Sequence, residues 1–340
     1  MIVLGFSLYT INSILSSHYH IITLSHQQMS YIINTSERYL NYNQVLKSEF
    51  TERVQKISIN AGFTCPNRDG SRGLGGCTYC NNQTFSPEYC KPTKSITQQI
   101  EEGIAFFNHK YEAQIYLAYF QSYTNTYDKI DKLKAIYEEA LKHPKVVGIV
   151  IGTRPDCVND ELLDYFAELS KRYYVMIEYG IESTNDRTLE FINRGHDYAC
   201  AEKAIRDTAS RGIKTGAHLI LGLPHETHEM ILNHARRISK LPLTAVKLHQ
   251  LQLVKGTKMA KQYTEHPEWF NLYTADEYID LVIDFIELLN PNIAIERMIS
   301  QSPAGFLIAP KWGLKNFEFV VKVEKRMIQR NTRHGSRFIV

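Results

Sequence analysis

At 340 residues, with 44% apolar, 11% aromatic and 22% charged side chains, the chain can build one large core, which excludes a disordered or collagen-like protein. A net charge of +3 does not mark a nucleic-acid binder by itself, so any such surface must come from local clustering. Six cysteines, three of them within sixteen positions, do not resemble a secreted disulfide framework; a cytoplasmic location fits better, where crowded thiols serve as metal ligands or redox groups.

Residues 1–28 are apolar but lack the positive segment and small-residue cleavage site of a secretory signal. Ser, Asn and His interrupt them well short of a membrane-spanning length, so no membrane span is expected. Composition turns ordinary at Met29, where translation is expected to start; 1–28 then form a poorly ordered extension and 29–53 a lead-in.

From there, short β-branched runs alternate with helical periodicity. Strands are expected over 54–60, 113–120, 146–153, 173–180, 213–222 and 245–254, with helices near 94–110, 128–142, 159–171, 185–211, 227–240 and 275–289. Parallel neighbours need long right-handed connections, usually helical, so six βα units predict an α/β fold. The sheet is either open and doubly wound or a partial, open (β/α)6 barrel over 54–290, with chemistry at the C-terminal strand ends. Residues 291–340 read as a basic C-terminal accessory element. Between Lys311 and Arg337 eight cations, Lys325, Arg326 and Arg330 among them, face two glutamates, a pattern suited to phosphate contacts or to a solvated helix face.

Directly after the first expected strand stands CPNRDGSRGLGGCTYC, Cys65 to Cys80. Cys77 and Cys80 sit on one tight turn, and the glycine-rich stretch before them lets Cys65 curl back to meet them. Three thiolates suit a [4Fe-4S] cluster with one iron open, or a structural zinc that takes Cys90 or a histidine as fourth ligand. Tyr79, immediately before the last cysteine, is either a stacking surface for a planar ligand or an ordinary core tyrosine.

Other strand ends carry polar groups. Gln121 and Ser122 follow the second strand, Arg154 the third, and Leu221 and Gly222 close the fifth. Glu178 and Glu182 share one face of the fourth strand; a buried carboxylate costs several kcal/mol unless paired or hydrogen-bonded, so partners are expected, Arg154 or Arg194 among them. Lys247 and His249 share a face of the sixth strand and are candidate substrate contacts. Glu226 is expected to cap the following helix.

The first strand, the three-cysteine loop with its aromatic and the six βα units together resemble the radical S-adenosylmethionine (SAM) superfamily. The eleven-residue first cysteine gap, and the words GFTCPNRDG, GGCTYC, YFQSYTNTY, NRGH and LGLPHET in this order, are similar to the elongator-like branch and its bacterial YhcC/YtqA-type family. The resemblance implies a TIM-like partial barrel of the radical SAM type, with a [4Fe-4S] cluster on Cys65, Cys77 and Cys80 and SAM on the fourth iron. It implies Tyr79, Leu221 and Gly222 at the adenine, Glu178 and Glu182 at the ribose or amine, and Gln121 and Ser122 where the superfamily often has a Gly-Gly-Glu. It further implies an enzyme that cleaves SAM to a 5'-deoxyadenosyl radical, modifies a wobble uridine side chain of tRNA, and draws electrons from a donor such as flavodoxin or ferredoxin. Two alternatives stand beside it: the same chemistry on a small metabolite, and a zinc-stabilised nucleic-acid-binding module.

Overall fold

The computed structural model describes residues 37–81, 87–108 and 114–339, preceded by a short antiparallel pairing of Tyr19–His20 with Ile33–Asn34. The expected start at Met29 and the extension before it fall outside the described residues, that pairing apart.

In chain order the elements are α1 (Tyr42–Glu49), β1 (Arg53–Ile59), α2 (Ile96–Asn108), β2 (Gln114–Phe120), α3 (Ile130–Leu141), β3 (Val146–Thr153) and α4 (Asp160–Ser170). Then follow β4 (Tyr174–Glu182), α5 (Asp186–Phe191), α6 (Tyr198–Ser210), β5 (Lys214–Leu221), α7 (His228–Ile238) and β6 (Ala245–Gln250). The chain closes with β7 (Leu253–Val254), α8 (Lys258–Glu265), α9 (Ala275–Leu288), β8 (Ala294–Arg297), β9 (Leu307–Ala309) and α10 (Asn316–Gln329).

Seven strands pair in the order β8-β6-β5-β4-β3-β2-β1, all parallel. A doubly wound sheet reverses its strand order at a switch point; this one never does, so it curls one way into a TIM-like half-barrel. The seventh strand, β8, lies inside the stretch read as accessory. Its four residues follow α9 without a helix of their own, and so lack the βα signature of the other six.

Two further differences matter for the site. The helix expected over 185–211 is two helices, because Asn193 (φ 54°) and Gly195 (φ 77°) take left-handed conformations and fold the chain back between them. At the base of the barrel, α1 lies against the strand beginnings. The Leu40 carbonyl accepts from the Ile295 amide at 2.8 Å, and Tyr42, Val45 and Leu46 pack on Leu117, Val150 and Met176. The barrel interior is therefore filled below and hollow above.

Candidate functional site

A cavity of ≈ 550 Å³ opens where the strands end. Its wall contains Cys65, Cys77, Tyr79 and Cys80 from the loop after β1, Gln121 and Ser122 after β2, and Arg154 after β3. Glu178 and Glu182 of β4, His218 of β5, Lys247 and His249 of β6 and Arg297 of β8 complete it. Of the candidate site residues singled out in the sequence, the structure brings eleven together here and leaves five, Leu221, Gly222, Lys325, Arg326 and Arg330, elsewhere.

The cysteine loop is shaped by its own backbone. The Cys65 carbonyl accepts from the Arg68 amide (2.8 Å), the Cys77 carbonyl from the Cys80 amide (3.0 Å), and the Asn67 carbonyl from the Gly76 amide (2.8 Å). Gly76 has φ +76°, a left-handed conformation that strains any side chain, and a Cβ there would stand 2.8 Å from Arg68 Nε, so glycine suits the position. Buried Asn67 donates from Nδ2 to the Asn193 carbonyl (2.6 Å) and lies 3.7 Å from Cys77 Sγ. Arg194, thrown inward by the break between α5 and α6, donates from Nη1 to Cys77 Sγ (3.6 Å) and from Nη2 to the Gly180 carbonyl (2.6 Å).

These contacts suit thiolates. Arg194 stays a cation because Tyr79, Cys77 and Glu182 outweigh the burial that opposes its charge. Burial pushes the Cys80 thiol up, and the neighbouring Cys77 adds to this, while Arg68 works against both. Three sulfurs on one cavity wall, with donors aimed at Cys77, fit a cluster held by three cysteines. Among the described residues no three His, Cys, Asp or Glu side chains gather closely enough for one ion. Cys90, the sequence's candidate fourth zinc ligand, sits in the hydrophobic core, where burial pushes its thiol up to about 12.

Below the strand ends lies a network of charges. Glu178, only 1% exposed, accepts from Lys247 (2.6 Å), Lys56 (2.8 Å) and His218 Nε2 (3.0 Å). Glu296 binds the same two lysines, at 2.6 Å to Lys56 and 3.2 Å to Lys247. Burial alone would raise the Glu178 carboxyl; Lys247, Lys56 and His218 instead hold it well below the usual range. Space for this carboxylate comes from Gly216 on the neighbouring strand, where a Cβ would meet Glu178 Cγ at 3.0 Å. The expected partners of the two acids are thus half right. Glu182 lies 3.9 Å from Arg194, whereas Glu178 pairs with lysines, since Arg154 is taken by Asp156 at 2.9 Å.

Sequence reasoning missed Lys56, His218 and Arg297 as cavity or network residues. A signal was present: Lys56 and Ser58 are polar at alternate positions of β1, on one face of the strand, and His218 interrupts the apolar end of β5. Leu221 and Gly222 line a separate small recess with Tyr273 and Trp312. Glu226 does not cap α7; Thr227 does, while Glu226 is buried against Ser183 (2.6 Å) and His234 (3.1 Å). Lys325 and Arg326 lie on α10 and Arg330 is its C-cap, all away from the cavity wall. There Arg326 and Arg330 are bound to Asp276, Asp280 and Asp284 of α9. Among the described residues no helix is long and apolar enough to cross a membrane.

Comparison with known proteins agrees with this geometry. Residues 61–238 match the model of the radical SAM superfamily and residues 243–329 that of a radical SAM C-terminal domain. The chain is 34% identical to YtqA of Bacillus subtilis over 305 residues, covering 90% of this chain and 94% of that one. It is 37% identical to MJ0486 of Methanocaldococcus jannaschii over 312 residues, 89% of this chain and 94% of that one; both relatives are described as uncharacterized. A tRNA uridine(34) acetyltransferase of Dehalococcoides mccartyi is 26% identical over 190 residues, 55% of this chain and 39% of that one. The solved structure of Methanocaldococcus infernus Elp3 shares the fold, with a TM-score of 0.59 at 19% identity over 84% of this chain and 65% of that one. The family works with a [4Fe-4S] cluster and SAM and needs a reductant. With the half-barrel, the three-cysteine loop and these matches together, the chain belongs to the radical SAM superfamily.

Proposed function

We propose that Cys65, Cys77 and Cys80 hold the cluster and that the chain uses it to cleave SAM reductively and modify tRNA, at the side chain of a wobble uridine. The observation that carries the cofactor half is the placement of all three sulfurs on one cavity wall, with Arg194 and Asn67 directed at Cys77. When bound, the cluster supplies one electron to the sulfonium and the SAM fragment removes a hydrogen atom from the substrate.

The chain's own residues bind, orient and exclude water. Tyr79, half-buried on the cavity wall, offers its ring to the adenine; Glu182, Gln121 and Ser122 offer acceptors to the ribose and amine. Glu178 is committed to two lysines, which suits it to the substrate side with Lys247 and His249. Arg154, 2% exposed, keeps Nη1 without a partner among the described residues and is suited to an anionic group. The tRNA half draws support from the relative described as a tRNA uridine(34) acetyltransferase. A small-metabolite substrate is the second reading, favoured by the pairing of Arg326 and Arg330 with acids, which leaves less free positive charge on α10 for phosphates. We place the protein in the cytoplasm with flavodoxin or ferredoxin as electron donor.

Anaerobic reconstitution with SAM and dithionite should yield 5'-deoxyadenosine. Nucleoside mass spectrometry of tRNA from cells with and without the gene should then show one altered uridine derivative; unchanged tRNA profiles would refute the tRNA half.

A further inference from the structure

His218 projects from β5 into the cavity, its side chain 20% exposed. Its Nε2 lies 3.0 Å from Oε2 of Glu178. That carboxylate is ionised and shared with Lys247 (2.6 Å) and Lys56 (2.8 Å), so toward the imidazole it can only accept. Nε2 therefore carries a proton. In the neutral ring Nδ1 is then a bare lone pair, and among the described residues no group hydrogen-bonds to it.

The surroundings favour one proton carrier over another. The second imidazole, His249, stands 5.5 Å away between ring centres, with its Nδ1 on Ser300 Oγ. Burial, then His218, Arg297 and Lys247, push His249 well below the usual imidazole range, so it stays neutral. The charged groups gathered beside His218 are Glu178 on β4 with the two lysines it shares, Lys56 on β1 and Lys247 on β6; Glu296 on β8 holds the same lysines, and Arg297 on β8 lines the same cavity. Tyr119 on β2 is already engaged by Lys247 at 3.0 Å, and burial pushes its phenol well above the usual range.

We propose that His218 takes a proton from the substrate, from a hydroxyl or ammonium group on the carbon that loses hydrogen, with Glu178 as its positioning residue. The O–H or N–H bond breaks, its electron pair stays on oxygen or nitrogen, and the proton forms an N–H bond at Nδ1; this step transfers no electron. The substrate class is then an alcohol or an amine. The inference rests on the enzymatic reading above and deepens it.

Two measurements test it. In full-length protein labelled with ¹⁵N-histidine, without cluster or SAM, long-range ¹H–¹⁵N correlation identifies the ring whose signals vanish in His218→Gln. Nε2–H with bare Nδ1 is expected; the Nδ1–H tautomer overturns the assignment. In reconstituted enzyme supplied with tRNA from cells lacking the gene, wild-type turnover should rise with pH to a plateau. His218→Gln should be at least tenfold slower and should lose that rise; a rise preserved in the variant also overturns it. If the wild type forms no 5'-deoxyadenosine, the enzymatic reading fails, and the tautomer alone decides the assignment of His218.

Discussion

Replacing Glu178 by glutamine tests the charge network directly. The variant keeps the shape but leaves Lys56 and Lys247 sharing Glu296, at 2.6 and 3.2 Å, with Lys247 only 4% exposed. Removing one partner of a buried ion pair costs roughly 3–5 kcal/mol, and the remaining carboxylate places this case at the low end, about 3 kcal/mol. Urea unfolding followed by circular dichroism measures it. Because the folded Glu178 carboxyl is held below its ordinary range, its contribution is fully present above that range and is lost as pH falls through the depressed value. Wild type and variant should therefore differ at neutral pH and converge in strong acid. Removing both charges, in Glu178→Gln with Lys247→Met, should recover part of the loss, since a neutral pair leaves no buried cation unpaired. A cost below about 1 kcal/mol, or a gap that persists unchanged into strong acid, would refute the reasoning.

Cys77→Ala should abolish iron retention and SAM cleavage together, whereas Cys90→Ala, whose thiol lies in the apolar core, should leave both intact; iron analysis and 5'-deoxyadenosine chromatography read the two. Arg194→Met removes the donors to Cys77 Sγ and the Gly180 carbonyl, so it should lower iron per chain after gel filtration and cost roughly 1–3 kcal/mol of stability. Gln at both Arg326 and Arg330 should destabilise by at most about 1 kcal/mol per pair, an effect that fades near 1 M salt, because these guanidiniums are about a third exposed.

The sequence carried six of the seven parallel strands because each is followed by a helix of its own, which β8 lacks; Val146–Thr153 has the bounds expected of it. It carried the cysteine loop because spacing along one short stretch sets which sulfurs can meet. What it could not carry is pairing across the barrel. Glu178 meets Lys56 and Lys247 over sequence separations of 122 and 69 residues, and which side chains coincide depends on register between strands rather than on any local pattern. The basic tail was legible in sign alone: the aspartates that partner Arg326 and Arg330 belong to a different helix, and nothing in the tail reveals them. That the break at Asn193 and Gly195 brings Arg194 onto Cys77, 117 residues away along the chain, has no local signal.

Lys56 and Glu296 belong to the two outermost strands of the sheet, which share no backbone ladder. Their 2.6 Å contact works as a clasp across the seam of the half-barrel. A seam fastened by side chains yields more readily than one laced by rows of amides, so this is where the circumference can widen for a bulky guest without unravelling the sheet.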